Sequence, residues 1–471
     1  MVKHKKSITL FLIILFISCD QKIQDRNSMF SLIPNESKIV IQINDLNYIK
    51  SFITNNTLFS KTYFANDSLN NLINRINIDQ SKNSGLLSFS SYGKNNKAIT
   101  FISNKNFSDS LNIENNKSYK YNNYDVFKED DFYNIYLDEI VVNSTSDIII
   151  ENIIRNYNSK KRGITDPNFY DIILSANKTE PINIFIDSKL DKFSEEYFRS
   201  IEFYPFIKSS WKNYDLSRSN DDIRLTGITR INDSLRSKLS ILENLNPKSL
   251  ETDKLIPNTF KSFFSFTITD SNSFLKNYQD YLNLNNLKDE FNNLEDIKAI
   301  NEVTFLQDEE KSVILNLIDS NLINQLSFSK EINFSNEIFN LSSPLGLKDL
   351  FNLFDKNLNL KFGILIDSFL VLSSSKNQLK KILTSYNNKR TLINDISYQK
   401  NKENLLNKFS FLWMANTKRI KEEVIFKKST YEDLDINLYP FINLEGLVDE
   451  KLVLLNFYIG KTKTRESSGG I

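Results

Sequence analysis

The feature that most constrains the fold is a long internal repeat. Residues 138–187 align with residues 367–416 without a gap, at an offset of 229, the difference between 367 and 138. A chain that repeats one pattern over this length is expected to build the same structural unit twice. Identical residues stand at the aligned positions Val142 and Val371, Ser144 and Ser373, Ser146 and Ser375, Ile153 and Ile382, and Tyr157 and Tyr386.

Each copy contains the same series of local patterns. A short apolar strand is followed by a serine-rich segment that suits a helix N-cap, and then by a helix whose apolar residues recur every three or four positions. A polar turn leads to a second predicted helix, and an apolar strand closes the unit. The second helix is predicted to begin at Asp166 in the first copy and at Asp395 in the second, and the closing strands at 182–186 and 411–415.

The segments before the aligned region correspond more loosely. Strands are predicted at 39–45 and 263–270, each followed by a helix, 46–54 or 271–282, and then by a pair of strands. Strands that come in adjacent pairs with helices between the pairs favour an α+β fold with mainly antiparallel sheets and helices packed on one face. We predict a first repeat at 30–246 and a second at 247–460, with a helix at 234–244 bridging them.

The two ends of the chain have a different character. Lys3, Lys5 and Lys6 precede an apolar run and then Ser18 and Cys19, which is the pattern of an export signal over residues 1–18. The apolar run is shorter than the roughly 20 residues of a membrane-spanning helix. Residues 19–29 are expected to form a polar tether, and the polar segment 461–471 is expected to be disordered.

The residues Phe16-Ile17-Ser18-Cys19 resemble the lipobox of bacterial lipoproteins. The resemblance implies that the Cys19 thiol receives a diacylglycerol and becomes the new N-terminus, so that acyl chains hold the protein on a membrane. Ordinary signal cleavage beside an incidental thiol is the alternative. We expect a lipid-anchored protein of the cell envelope. The outer membrane is favoured, although Asp20, directly after the cysteine, would argue for the inner membrane.

Composition excludes several functional classes. The only histidine, His4, lies in the predicted signal, and Cys19 is the only cysteine. Without them the mature chain lacks the side chains of Cys and His zinc sites and of Ser-His-Asp or Cys-His catalysis. Ten glycines in 471 residues include no phosphate-cradling loop, and a net charge of +1 with no basic stripe argues against nucleic acid. We expect no cofactor, no metal and no nucleic-acid partner.

Two short motifs have a catalytic interpretation and a structural one. Residues Ser373 to Lys376 match S-x-x-K, the serine and lysine spacing of penicillin-binding enzymes, but the companion motifs are absent and a helix N-cap explains the serines. The acidic cluster at 129–131 could supply paired carboxylates for glycoside hydrolysis, but flanking strand-like residues favour a hairpin tip.

The densest aromatic segment is the candidate binding surface. Exposed tyrosines on a sheet can stack on sugar rings or anchor a protein partner, whereas cross-strand packing is the structural alternative. The candidate residues are Tyr119, Tyr121, Tyr124, Tyr133 and Tyr136.

The repeated layout of strand, serines, helix and Asp-initiated helix resembles an uncharacterised duplicated domain of bacterial lipoproteins and surface proteins. The resemblance implies no catalytic residues. Our leading hypothesis is a non-catalytic, lipid-anchored envelope protein that binds or scaffolds a protein partner. The alternatives are a glycan- or lipid-binding lipoprotein for nutrient uptake and a histidine-free hydrolase. A scaffold should carry a flat apolar patch, a glycan binder a concave face with exposed tyrosines, and a lipid carrier an apolar cavity.

Overall fold

The computed structural model describes thirteen stretches of the chain. The predicted signal at 1–18, the lipidation candidate Cys19 and the tether up to residue 28 lie outside the described residues, as does the tail after residue 461. The described stretches are 29–56, 85–94, 96–104, 117–129, 131–187, 211–219, 222–231, 237–287, 294–319, 338–341, 347–355, 358–419 and 438–461.

The described residues form one antiparallel sheet of 19 strands. Every strand pair in it is antiparallel. In the first half the strands are β1 (Ser37–Ile43), β2 (Gly85–Tyr92), β3 (Asn96–Asn104), β4 (Lys117–Tyr121), β5 (Tyr124–Glu129), β6 (Phe132–Leu137), β7 (Ile140–Ser144), β8 (Ile182–Ile186), β9 (Lys212–Leu216) and β10 (Ile223–Arg230). In the second half they are β11 (Ser262–Thr267), β12 (Ile300–Gln307), β13 (Lys311–Leu317), β14 (Phe339–Asn340), β15 (Phe362–Ile366), β16 (Phe369–Ser373), β17 (Phe411–Asn416), β18 (Phe441–Asp449) and β19 (Leu452–Ile459).

Seven α-helices lie among the described residues, together with short 3₁₀ helices. The α-helices are α1 (Leu46–Asn55), α2 (Asp147–Asn158), α3 (Pro167–Ser175), α4 (Ser271–Leu284), α5 (Lys348–Phe354), α6 (Lys376–Asn387) and α7 (Ile396–Lys402). The 3₁₀ helices are Met29–Leu32, Lys238–Leu242, Thr252–Lys254, Leu294–Ala299 and Leu392–Asn394.

The strand order across the sheet is closely similar in the two halves. From the outer edge inward, the first half runs β4, β5, β6, β7, β3, β2, β1, β8, β9, β10. The second half runs β14, β15, β16, β13, β12, β11, β17, β18, β19. The halves meet where β10 pairs with β19 over eight residue pairs. A common origin of the two halves stays a prediction from the sequence.

One local contact occurs in both halves at positions 229 residues apart. Asp138, in the turn between β6 and β7, has a φ of 51°, and Asp367, in the turn between β15 and β16, has a φ of 52°. Aspartate is among the residues that tolerate this left-handed region best. The hydroxyl of Tyr157 on α2 donates a hydrogen bond to Asp138, and that of Tyr386 on α6 donates one to Asp367. Each helix is thereby tied to the hairpin that precedes it.

The helix starts follow the predicted capping residues. The Ser146 hydroxyl accepts from the Ile149 amide at the start of α2, and Ser375 accepts from the Asn377 amide at the start of α6. Aspartate side chains cap the helices that follow the turns, with Asp166 before α3 and Asp395 before α7. The serine caps and the aspartate caps both accept hydrogen bonds from amide groups that would otherwise lack an acceptor at a helix N-terminus.

A single central core joins the two halves on the inner side of the sheet. It contains inward residues of both sets of strands, such as Ile39 and Phe264, together with residues of α1, α4 and α5. Phenylalanine dominates its second-half side, where the Phe266 ring centroid lies 4.8 Å from that of Phe354. Apolar area removed from water contributes roughly 25 cal/mol per Å², so this shared core should stabilise both halves together.

Each half also has an outer core on the opposite side of the sheet. In the first half Phe169 of α3 and Ile153 of α2 pack on Phe185 and Trp211. In the second half Tyr398 of α7 and Ile382 of α6 pack on Phe263 and other residues of that face. Helices therefore lie against both faces of the sheet, because each face is lined with apolar residues along most of its strands.

The predicted α+β class with an antiparallel sheet is confirmed. The helices were expected on one face of the sheet and instead lie on both, because the strands are apolar on both sides. The predicted helix at 46–54 is observed at Leu46–Asn55, and that at 271–282 extends to Leu284. The bridging helix expected at 234–244 is, within the described residues, a 3₁₀ helix at Lys238–Leu242; residues 232–236 are outside them. The repeat boundaries at 30–246 and 247–460 stay predictions.

The shared central core predicts that both halves unfold together. Trp211 packs in the first outer core and Trp413 in the central core, and these are the only two tryptophans of the chain. In Trp211→Phe and Trp413→Phe variants, urea titrations followed by the remaining tryptophan and by far-UV circular dichroism should give coincident midpoints. A fluorescence midpoint that precedes the circular dichroism midpoint in either variant would contradict the shared core.

Candidate functional site

Four of the five predicted tyrosines lie on the same face of the β4–β5–β6 meander. Tyr119, Tyr121, Tyr124 and Tyr133 are half-buried against the first outer core, next to α2. Tyr121 pairs with Tyr124 across β4 and β5. Alternation along β6 places Tyr136 on the opposite face, where its ring centroid lies 6.1 Å from that of Phe127. The structure therefore brings four candidates together and separates the fifth.

Contacts with α2 hold these tyrosines in place. The Tyr121 hydroxyl accepts a hydrogen bond from Arg155 Nη1 at 3.2 Å, and the Tyr124 hydroxyl donates to Asn158 Oδ1 at 3.2 Å. Burial, with the nearby charges of Glu151 and Asp147, raises the pKa of Tyr119 to about 12. Side chains that already contact a helix offer little free ring face for stacking on a ligand.

The S-x-x-K serines have structural roles. The Ser373 hydroxyl donates to the Lys311 carbonyl at 3.0 Å and accepts from the Ser375 amide at 3.3 Å. Lys376 lies 5.0 Å from the centroid of the Phe362 ring, a cation–π distance. This arrangement is that of a helix cap.

Two buried acids in the second half have local polar partners. Glu302 accepts hydrogen bonds from the Thr252 hydroxyl at 2.6 Å and the Ser265 hydroxyl at 2.9 Å. Asp253 Oδ2 accepts from the Tyr398 hydroxyl at 3.2 Å and from Lys402 Nζ at 3.1 Å. Burial raises the pKa of both carboxyl groups, despite these partners. The contacts join the 3₁₀ helix Thr252–Lys254 to the sheet and to α7.

Lys212 is the most strongly perturbed base among the described residues. It is 2% exposed and lies opposite Ile186 and Thr229 in the sheet. Burial lowers the pKa of Lys212 from 10.5 to about 7, although the charge of Asp187 acts in the other direction. Asp187 itself is 2.6 Å from Lys38 Nζ. Among the described residues, no group of three or more acidic, histidine or cysteine side chains could hold a metal ion.

An exposed apolar face lies where the two halves meet, on the outer side of the sheet. We call it the seam face and define it by Leu174, Ile228, Leu447, Leu452 and Leu454. Ile228, Leu454 and Leu447 stand side by side across the adjacent strands β10, β19 and β18. Leu452 and Leu454 are each 43% exposed, and Leu174 of α3 is 64% exposed.

Elements of both halves flank the seam face. On the first-half side, Asp171 of α3 is 3.7 Å from Arg230 of β10, and Leu174 follows Asp171 by one helical turn on the same side of α3. On the second-half side, Asn404 lies just after α7, and its Oδ1 accepts a hydrogen bond from Nη2 of Arg224 of β10 at 2.9 Å. The Leu406 amide donates to the buried Glu445 of β18 at 2.9 Å.

The seam face was not predicted from the sequence. The run Leu452 to Leu455 is apolar at four successive positions, whereas a half-exposed strand should alternate. That pattern is the one signal that could have indicated an apolar outer face. The same run is equally typical of a strand that is buried on both faces, so it does not by itself distinguish an exposed apolar face from a buried one.

Comparisons with known proteins do not identify this chain. No family model matches it, and no curated protein matches it. Among solved structures, crystal forms I and IV of TP0453 are similar to part of it, with 9% sequence identity and TM-scores of 0.28 and 0.27. Each match covers 43% of this chain, and 77% and 80% of the TP0453 chain. TM-scores this low do not indicate a shared fold, so the similarity does not bear on function.

The α-helices are short. Within the described stretches none is long and apolar enough to cross a membrane.

Burial of Lys212 predicts a specific pH dependence. Because the folded-state pKa lies below the unfolded one, the unfolded chain binds more protons between about pH 7 and 10, and folding stability rises with pH in that range. Lys212→Met removes this penalty and should stabilise the protein at pH 7 by up to a few kcal/mol, since one pKa unit is about 1.4 kcal/mol. The advantage should shrink as the pH rises to 10. Urea titrations of the unmodified chain and of Lys212→Met at pH 7 and pH 10 measure this stability difference. A variant that is less stable than the unmodified chain by the same amount at both pH values would contradict the prediction.

Proposed function

We propose that this protein is a non-catalytic, lipid-anchored cell-envelope protein that binds a protein partner through the seam face. The observation that carries the proposal is the apolar row in which half-buried Ile228 and Leu447 flank exposed Leu454, extended by the exposed Leu452 and Leu174. Contiguous apolar surface with a polar rim is typical of protein interaction sites. Its floor is a strand surface, which is the flat kind of patch expected of a scaffold.

Several observations favour a non-catalytic role. The described residues contain neither histidine nor cysteine, since the single copy of each lies before residue 29. The S-x-x-K serines cap a helix, and the buried acids Glu302 and Asp253 accept hydrogen bonds from neighbouring side chains. Ser373, Ser375 and Glu302 thus have hydrogen-bond partners within the protein, as buried or capping polar groups usually do.

The path of the chain also fits an anchored protein. Lipidation at Cys19 would place the acyl chains ten residues before Met29, and a chain spans at most about 3.5 Å per residue, or about 35 Å here. The Phe30 ring centroid lies 6.5 Å from that of Phe169 of α3. The tether would therefore leave the folded protein on the outer side of the sheet, the side that carries the seam face.

The glycan-binding alternative has less support. A glycan-binding surface is expected to carry several exposed tyrosines on one concave face. Tyr119, Tyr121, Tyr124 and Tyr133 are instead half-buried against α2, and Tyr136 lies on the other face. These positions favour packing within the sheet and against α2 as the role of the tyrosines.

A charge placed in the seam face should abolish partner binding. Leu454→Lys puts an ammonium group in the middle of the apolar row, whereas Leu284→Lys changes a leucine of 54% exposure on α4, away from the seam. Both residues are exposed, so both variants should keep their folding stability within about 0.5 kcal/mol. The measurement is crosslinking in cells, followed by purification on a C-terminal tag from detergent-solubilised membranes and quantitative mass spectrometry.

The expected result is a stoichiometric protein that copurifies with the unmodified chain and the Leu284→Lys variant but is lost from the Leu454→Lys variant. Two outcomes contradict the proposal. One is the same set of copurifying proteins for all three chains. The other is a chain that purifies alone after crosslinking.

Lipid anchoring makes a separate prediction. Cys19→Ser removes the thiol that would carry the diacylglycerol, so the variant should move from the membrane pellet to the soluble fraction on cell fractionation. The matched control is Ser18→Ala, which keeps a small residue before the cysteine. An unchanged membrane fraction for Cys19→Ser would contradict the anchor but leave the seam face untouched.

A further inference from the structure

We infer that the seam face takes one amphipathic α-helix of a membrane-bound partner protein. The inference rests on the proposed function and deepens it, because it names the kind of element that the seam binds. Three properties of the seam support it: the width of the uncovered floor, its small apolar area, and its position beside the tether.

Among the described residues, the outer layer of the protein is built from helices and leaves a gap at the seam. In the first half α2 and α3 cover the outer face, and the ring centroid of Phe169 on α3 lies 4.5 Å from that of Trp211, the residue before β9. In the second half α7 reaches β18, where Asn401 and Asn443 exchange hydrogen bonds at 3.1 Å. Between them, Leu452 and Leu454 of β19 remain exposed.

The floor of this gap has the width of a helix. It comprises β10, β19 and the second half of β18, and adjacent strands lie about 4.8 Å apart, so the floor is roughly 10–15 Å across. A helix with its side chains is about 10–12 Å in diameter. One further helix would complete the layer that the four helices of the two halves begin.

The two ends of the floor differ. At one end the Arg224 and Asn404 contact bridges the strands to the segment after α7. At the other end the β18–β19 turn exposes Asp449 and Glu450. Negative side chains favour the N-terminus of a helix and any basic residues near it. The bound helix should therefore enter with its N-terminal end at Asp449 and Glu450.

The area of the seam face argues against a second copy of this chain. Its five aliphatic side chains expose on the order of a few hundred Å². A stable dimer usually buries about 800 Å² on each partner. A helix that presents aliphatic residues at positions i, i+3, i+4 and i+7 needs only a narrow apolar floor and matches this size.

The tether places the occupant at a membrane. Phe30, the second described residue, packs on α3, the helix that borders the seam. A lipid at Cys19 would hold this border within about 35 Å of the bilayer surface. A helix attached to a membrane-bound partner lies within this range at high effective concentration, because both proteins are confined to one surface.

Photocrosslinking from the seam face tests the inference. The photoreactive residue p-benzoylphenylalanine replaces Leu452 in one variant and Leu454 in another of the full-length, membrane-bound chain, and replaces Leu284 in a control. After irradiation of intact membranes, mass spectrometry locates the adducts. Positions 452 and 454 are about 6.8 Å apart along a strand, and a helix rises 1.5 Å per residue.

The expected result is that both seam variants label one membrane-bound protein, at positions about four residues apart, and that the Leu284 variant does not label it. Positions two residues apart would show an extended strand and overturn the inference while leaving the proposed function intact. Adducts with this chain itself would show a second copy, and adducts with lipid alone would show that the seam contacts the bilayer; either overturns the inference. Absence of any adduct from both seam variants would overturn the proposed function as well.

Discussion

The pairing of β10 with β19 is the interaction on which the rest of the structure depends. Eight residue pairs, from Ile223 with Ile459 to Arg230 with Leu452, join the last strand of each half into one continuous sheet. The inward side chains of β19, Val453, Leu455 and Phe457, belong to the central core that also holds the first strands of both halves. Because apolar residues of both halves are buried in this one core, the stability of each half should depend on the other.

The same pairing creates an apolar surface that the helices of the described stretches leave partly exposed. Each half covers the outer face of its own strands with two helices, and these helices contact β10 and β18 at the junction but leave Leu452 and Leu454 of β19 exposed. The register then brings Ile228 beside Leu454 and Leu447, although Ile228 lies more than 200 positions before both of them in the chain. The seam face is therefore a product of joining two similar units, and neither unit contains it.

Polar groups of the protein serve the fold. At the surface, the Tyr157 and Tyr386 hydroxyls tie two helices to their hairpins at equivalent positions. In the interior, Glu302 ties a 3₁₀ helix to the sheet and Asp253 ties the same 3₁₀ helix to α7. A buried polar group is costly unless it has a partner, so such networks specify one arrangement of the elements that contribute to them.

Much of the local structure was determined by the sequence alone. The serines at 146 and 375 and the aspartates at 166 and 395 cap helices as predicted, because a cap depends only on residues within one helical turn. Runs of β-branched and aromatic residues likewise indicated the strands, and their order in pairs indicated an antiparallel α+β fold.

The positions of side chains on faces were decided only by the tertiary structure. The density of tyrosines at 119–136 was evident, but strand register and the docking of α2 decided that four are half-buried together and that Tyr136 lies opposite. The burial of Lys212 and the exposure of Leu454 depend on strands that are distant in the chain. A local pattern states which residues alternate, whereas the partner across the sheet decides which of them meets water.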